Sequence, residues 1–239
     1  LAMAMCVSVF AGCGSNANNG NNGNSGNNSS VTDNKNESSN SASDDKKDDG
    51  KAEKQVITYN LGAEPKTIDP GTNAAVDGAT VIVNAFDGLT RLNDKDQPVA
   101  AVAESWDVSD DGLHYTMHLR KDVKWTDGKP VTAKDFEYAW KRALAPETAS
   151  EYAYQLYYLK NAEAYNTGEE KDKDQVGVVA TDDYTLDIDL QYPTSYFLSL
   201  LAFPTYMPVR QDAVEANPDN WFRKGDTYLS NGPYMLKER

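Results

Sequence analysis

At 239 residues the chain is long enough for one large domain or two small ones. Its formal net charge of −14 excludes a nucleic-acid surface, because phosphates demand Lys and Arg. Acidity names no partner by itself, since it is also a solubility device. The two cysteines, Cys6 and Cys13, both precede the globular body, which therefore has neither a disulfide nor a cysteine metal site.

Residues 1–12 open with a short apolar run, Leu1 to Ala11, too short to span a bilayer as a helix. It reads as the apolar region of a signal peptide without its basic start, so the sequence is expected to begin inside its gene. Phe10-Ala11-Gly12-Cys13 looks like a bacterial lipobox, in which the chain is cut before the cysteine and Cys13 carries the lipid. The alternative is an ordinary signal peptide with an incidental Cys13. Two or more acyl chains would hold the protein stably at a membrane.

Residues 13–55 continue as Asn, Gly, Ser, Asp and Lys without an aromatic residue. Such a segment cannot bury enough apolar surface to offset its ordering entropy, so disorder is expected. As a flexible tether of roughly 40 residues it would reach on the order of 35 Å.

Val56 to Leu61 reads as a strand, and Glu64 to Pro70 as a loop held by two prolines. Val76 to Leu89 reads as a helix ended by Gly88, followed over Thr90 to Val108 by a short strand, a loop and the first arm of a hairpin. Leu113, Tyr115, Met117 and Leu119 alternate with polar residues, the period of a half-buried strand. Trp125 to Pro130 turns the chain. Thr132 reads as a helix cap with Asp135 as a carboxylate version of the capping box. Phe136, Ala139, Trp140, Ala143 and Leu144 then fall on one helical face, and Pro146 stops the helix.

A second helix is expected from Glu151 to Tyr165, dense in tyrosine, and a charged loop from Gly168 to Gln175. A hairpin is expected over Val176 to Leu190, a short helix from Ser195 to Ala202, another starting at Asp212, and a strand from Leu229 to Leu236.

No nucleophile elbow, phosphate loop, dinucleotide fingerprint or zinc motif is present, so an enzyme is not expected, nor a cofactor. His114 and His118 share a strand face but lie about 13 Å apart, too far for one metal ion. They read as solvent-face residues. Asp107 to Gly112 imitates a calcium loop, but a hairpin turn at Asp110-Asp111-Gly112 explains it better. Asp187 and Asp189 alternate with aliphatic residues and read as the wet side of a strand.

The run from Glu104-Ser105-Trp106 through Asp111-Gly112 and His118-Leu119-Arg120-Lys121 to Trp125-x-Asp127-Gly128-x-Pro130-Val131-Thr132-Ala133-x-Asp135-Phe136 resembles the family 5 extracellular solute-binding proteins, peptide receptors of ABC importers. Ile68-Asp69-Pro70, Phe86-Asp87-Gly88-Leu89 and the stretch from Asn231-Gly232 to Leu236 resemble the same family. The resemblance implies an α/β fold with mixed sheets, of the periplasmic-binding-protein-like type II two-lobe kind. Only its N-terminal portion would be present here. Residues 56–88 with 212–239 would form part of the first lobe, and residues 89–211 an inserted α+β subdomain.

By resemblance, Ala74, Ala75 and Val76 fall where the family pairs a lobe edge with a peptide backbone. Ala74 stands where oligopeptide members carry an acidic residue. Tyr152 falls where a ring packs on bound peptide, with a plain packing role as its alternative. The implied function is a substrate-binding lipoprotein that delivers short peptides to the permease and ATPase subunits of an ABC importer. It would act as a monomer anchored on the outer face of the cell membrane. The alternatives are another solute, such as a nickel chelate, a sugar or a pheromone peptide, or a lipid-anchored secreted hydrolase.

Overall fold

The alternating stretch turns its apolar side chains inward. In the computed structural model, which describes residues 57–239, β4 (His114–Leu119) buries Tyr115, Met117 and Leu119 and leaves His114 outside. It is a central strand of a four-stranded antiparallel sheet with β3 (Ala103–Val108), β6 (Thr185–Asp189) and β5 (Val178–Ala180), in the order β3-β4-β6-β5. Tyr115 stands opposite Val108 and Ile188, and Met117 opposite Trp106 and Leu186. This register places Tyr115, Met117, Leu186, Ile188 and Val178 on one buried face.

Helix α2 (Ala133–Leu144) covers that face. Phe136, Ala139, Trp140, Ala143 and Leu144 are all buried, as their spacing requires. Burial of a side chain such as Phe136 or Leu144 contributes about 1.5–3 kcal/mol. At its start the Asp135 carboxylate accepts the Thr132 N–H at 2.7 Å and the Trp125 indole N–H at 3.3 Å. Burial nonetheless raises the Asp135 pKa, since these donors only partly replace water. Pro146 follows the helix and opens a 3-10 turn. Glu137 accepts the Ala180 N–H at 3.1 Å, so α2 also occupies part of the outer edge of β5.

Helix α1 (Val76–Ala85) precedes a small hairpin of β1 (Thr90–Leu92) and β2 (Pro98–Ala100). α1 ends short of the expected Gly88 because Phe86 is already extended. Gly88 serves packing instead. A Cβ there would lie 2.5 Å from the Leu201 carbonyl oxygen. Two short helices, α4 (Phe197–Leu200) and α5 (Gln211–Ala216), appear where expected.

Three expectations fail. Residues 57–61 form no strand, and Ile57 and Tyr59 are 86% and 71% exposed. A strand needs a ladder partner, and none lies among the described residues. Leu229 to Leu236 is likewise irregular, although the Gly232 and Tyr234 N–H groups donate to the Ala85 and Asn84 carbonyls at 2.8 and 3.2 Å. The tyrosine-rich helix from 151 to 165 is broken. A 3-10 turn, Ala153–Leu156, is followed by a bridge between Leu159 and Leu190, and Asn161 takes the left-handed conformation before α3 (Ala162–Thr167) begins. Lys160 donates to Asp189 and Gln191 to Tyr158, so this segment spends its backbone on the end of β6 instead of on a helix.

Candidate functional site

Ala74, Ala75 and Val76 lie at the entry to α1. Val76 is 84% exposed, and Ala75 is extended at φ −131°, ψ 151°. The Ala75 carbonyl is occupied, accepting the Ala79 N–H at 3.0 Å and the Asn73 side-chain amide at 2.9 Å. Among the described residues, the N–H groups of Ala74, Ala75 and Val76 find no acceptor. A helix start leaves such donors open unless a side chain caps them, and alanine at the cap position has nothing to offer. The result is one extended residue, Ala75, leading into the helix at Val76, both exposed and with free donors.

Tyr152 is half-buried at the start of the 3-10 turn Ala153–Leu156. Its ring stacks against Tyr154 at 5.5 Å between centroids and against Phe203 at 5.7 Å, with interplanar angles of 30° and 27°. Stacked pairs of this kind add about 0.5–1.5 kcal/mol beyond burial, so the ring is held. The turn behind it is tied down as well. The Tyr206 hydroxyl donates to the Gln155 carbonyl at 2.6 Å, and the Trp140 indole donates to the Tyr206 carbonyl at 2.9 Å. Burial raises the Tyr206 pKa far above the ordinary phenol value, so this hydroxyl stays a donor. Helix α1 and the turn that follows Tyr152 both pack against Pro204–Tyr206. That shared neighbour relates the two candidate segments.

The histidines do not form a site. His114 pairs with Asp189 at 2.5 Å and His118 with Asp107 at 2.8 Å, on the wet face of the sheet. Among the described residues no group of His, Cys, Asp or Glu is arranged to hold a metal ion. The calcium-like stretch is a turn, with Gly112 at φ +69° and the Asp111 carboxylate held by the Ser109 hydroxyl and the Leu113 N–H. Asp187 and Asp189 serve as cross-strand acceptors for Thr116 and His114. Cys13 lies outside the described residues.

Sequence reasoning missed a buried carboxylate beside the site. Asp69, 1% exposed, accepts a two-pronged bond from Arg142 at 3.0 and 2.7 Å and the Trp221 indole N–H at 3.1 Å. Its loop neighbour Ile68 gives its carbonyl to the Tyr228 hydroxyl at 2.7 Å. Two prolines marked the loop, but no local signal marks a partner 73 residues away.

Comparison with known proteins completes the picture. The family described as "Bacterial extracellular solute-binding proteins, family 5 Middle" matches residues 97–239. The chain is 47% identical over 184 residues to the oligopeptide-binding protein OppA of Bacillus subtilis, covering 77% of this chain and 33% of that protein. It is 43% identical over 184 residues to the dipeptide-binding protein DppE of the same organism, covering 77% and 34%. A solved structure, Listeria monocytogenes OppA bound to peptide, superposes with a TM-score of 0.71 at 37% identity over 74% of this chain and 35% of that one. The chain thus spans about a third of the length of the curated relatives it matches. Its mixed helices and sheets are those of the α/β, type II periplasmic binding proteins. The chain belongs to the bacterial extracellular solute-binding proteins of family 5.

Proposed function

We propose that the protein is the substrate-binding lipoprotein of an ABC importer, capturing short peptides outside the membrane and delivering them to the permease. The observation that carries this reading is the open backbone at Ala74, Ala75 and Val76, extended at Ala75, exposed at Ala75 and Val76, and without acceptors for its N–H groups among the described residues. An extended peptide laid along it would take up the donors on the side that faces it, giving affinity from main-chain bonds whatever the peptide sequence. The stacked ring of Tyr152 supplies a second, apolar contact of fixed position. No reactive side chain is required, and the protein performs no reaction on its ligand.

The further parts of the proposal rest on the sequence. Cys13 carries the lipid, residues 13–55 form the tether, and the protein works as a monomer on the outer face of the cell membrane. Residues 56–88 with 212–239 belong to one lobe, with 89–211 inserted between them. The bonds from Gly232 and Tyr234 to the end of α1 favour that division. The relatives' names include both oligopeptide and dipeptide binding, so the length of the ligand is left open.

Isothermal calorimetry of the full-length gene product with mixed short peptides tests the reading. Saturable binding is expected. Tyr152→Ala weakens it about tenfold, within the range of one aromatic contact, whereas Tyr152→Phe leaves it unchanged. Heat with a nickel chelate or a sugar and none with peptides would reject the peptide assignment.

A further inference from the structure

The carboxylate of Asp69 is a junction. It accepts both prongs of Arg142, the Trp221 indole and the Gly71 N–H at 2.9 Å. Its main-chain carbonyl accepts the N–H groups of Thr72 and Asn73 at 3.2 and 2.9 Å, closing a tight turn. Asn73, itself 8% exposed, passes its side-chain amide to the Ala75 carbonyl. On its other side the Asn73 amide oxygen lies against Gly78 of α1, where a Cβ would come within 2.0 Å. A continuous chain of bonds therefore runs from Arg142 through Asp69 and Asn73 to Ala75.

Arg142 stands in the last turn of α2. From there the chain passes Pro146 to reach Tyr152, and the Leu144 carbonyl is fixed by the Asn166 side chain at 2.7 Å. One ion pair thus links the element that leads to Tyr152 with the loop that ends in the open backbone. A buried pair of this kind is poor evidence of stabilisation, because apolar replacements often do as well. A guanidinium fork on a carboxylate does fix direction as well as distance, which lysine, a point charge, does not.

We propose that Arg142, Asp69 and Asn73 are positioning residues: they set the orientation of the open Ala74–Val76 backbone relative to Tyr152. This rests on reading Ala74–Val76 as the ligand edge. None of the three has to touch the ligand. The fork aims the Asp69–Asn73 turn, and Asn73 carries that aim to the Ala75 carbonyl.

The test uses the full-length gene product with Arg142→Lys, Asn73→Ala and, as a control of comparable destabilisation, Val178→Ala in the sheet core. Two readouts are taken: peptide affinity by calorimetry, and amide hydrogen exchange without peptide. Arg142→Lys and Asn73→Ala are expected to fold, to weaken peptide binding about tenfold, and to speed exchange about tenfold at Asn73 and Ala79, whose N–H groups bond the Asp69 and Ala75 carbonyls, while the sheet stays protected. Val178→Ala should lower the melting temperature and leave affinity unchanged. Affinity losses no greater than the control's would overturn the proposal. Should the wild type bind no peptide, the ligand reading fails, and exchange still decides the positioning role. Acceleration confined to Asn73 and Ala79 upholds it, and uniform acceleration overturns it.

Discussion

Arg210 shows how a single side chain ties distant loops together at this surface. Its guanidinium bonds Asp127 of the turn before α2 at 2.9 Å and both carboxylate oxygens of Asp212 at the start of α5. The hydrogen bond from Arg210 lowers the Asp212 pKa from 3.8 to about 2. A depressed carboxylate contributes stability that is full above 3.8 and is lost as pH falls through about 2. Asp212→Asn should therefore destabilise the protein near neutrality, while its difference from wild type vanishes below about 2. The side chain is 59% exposed, so solvent screening keeps the effect small. Urea midpoints across that acid range check both the sign and the window. The pairings of Arg210 with Asp127 and of Arg142 with Asp69 were invisible in the sequence because the partners are remote. Arg210 meets Asp127 across 83 positions, and nothing local announces the meeting.

At the level of elements, legibility followed the range of the forces involved. Helix α2 was readable throughout, since its cap, apolar face and stopping proline all act within a few residues. Strand β4 was readable because alternation is a local consequence of the pleat. The tyrosine-rich stretch was not. Its rings fit a helical spacing, but the pairing of Leu159 with Leu190 and the left-handed Asn161 divide it, and both depend on the neighbouring sheet. The strands expected at 56–61, described from 57 on, and at 229–236 failed for the same reason, because a strand is a relation between two segments. Helix α1 shows the opposite conflict. Alanine in place of Gly78 should gain about 1 kcal/mol of helix propensity. A Cβ there would lie 2.5 Å from the Thr67 carbonyl and closer still to Asn73, so the loop must shift. Gly78→Ala is expected to lose about 1–3 kcal/mol net, as overpacking does, in a urea titration. A gain in stability would show that the loop yields freely.

On the scale of the molecule, the sheet, α2 and the turn Pro204–Tyr206 pack together, and α1 and the turn after Tyr152 pack against Pro204–Tyr206. The family was legible because its signature lies in that packed unit, from Glu104 to Phe136, where turn, cap and core residues are all constrained at once. The candidate site was legible only by position, since alanines carry no chemistry in their side chains. What makes Ala74–Val76 notable is the set of backbone donors left open, which only the fold reveals. Amide hydrogen exchange of the full-length gene product, with and without a saturating short peptide, tests the claim most directly. Slowed exchange at the peptide-facing amides among Ala74, Ala75 and Val76, with His114–Leu119 unchanged, is the predicted result. Saturation that leaves those three amides exchanging at their free rate would contradict it.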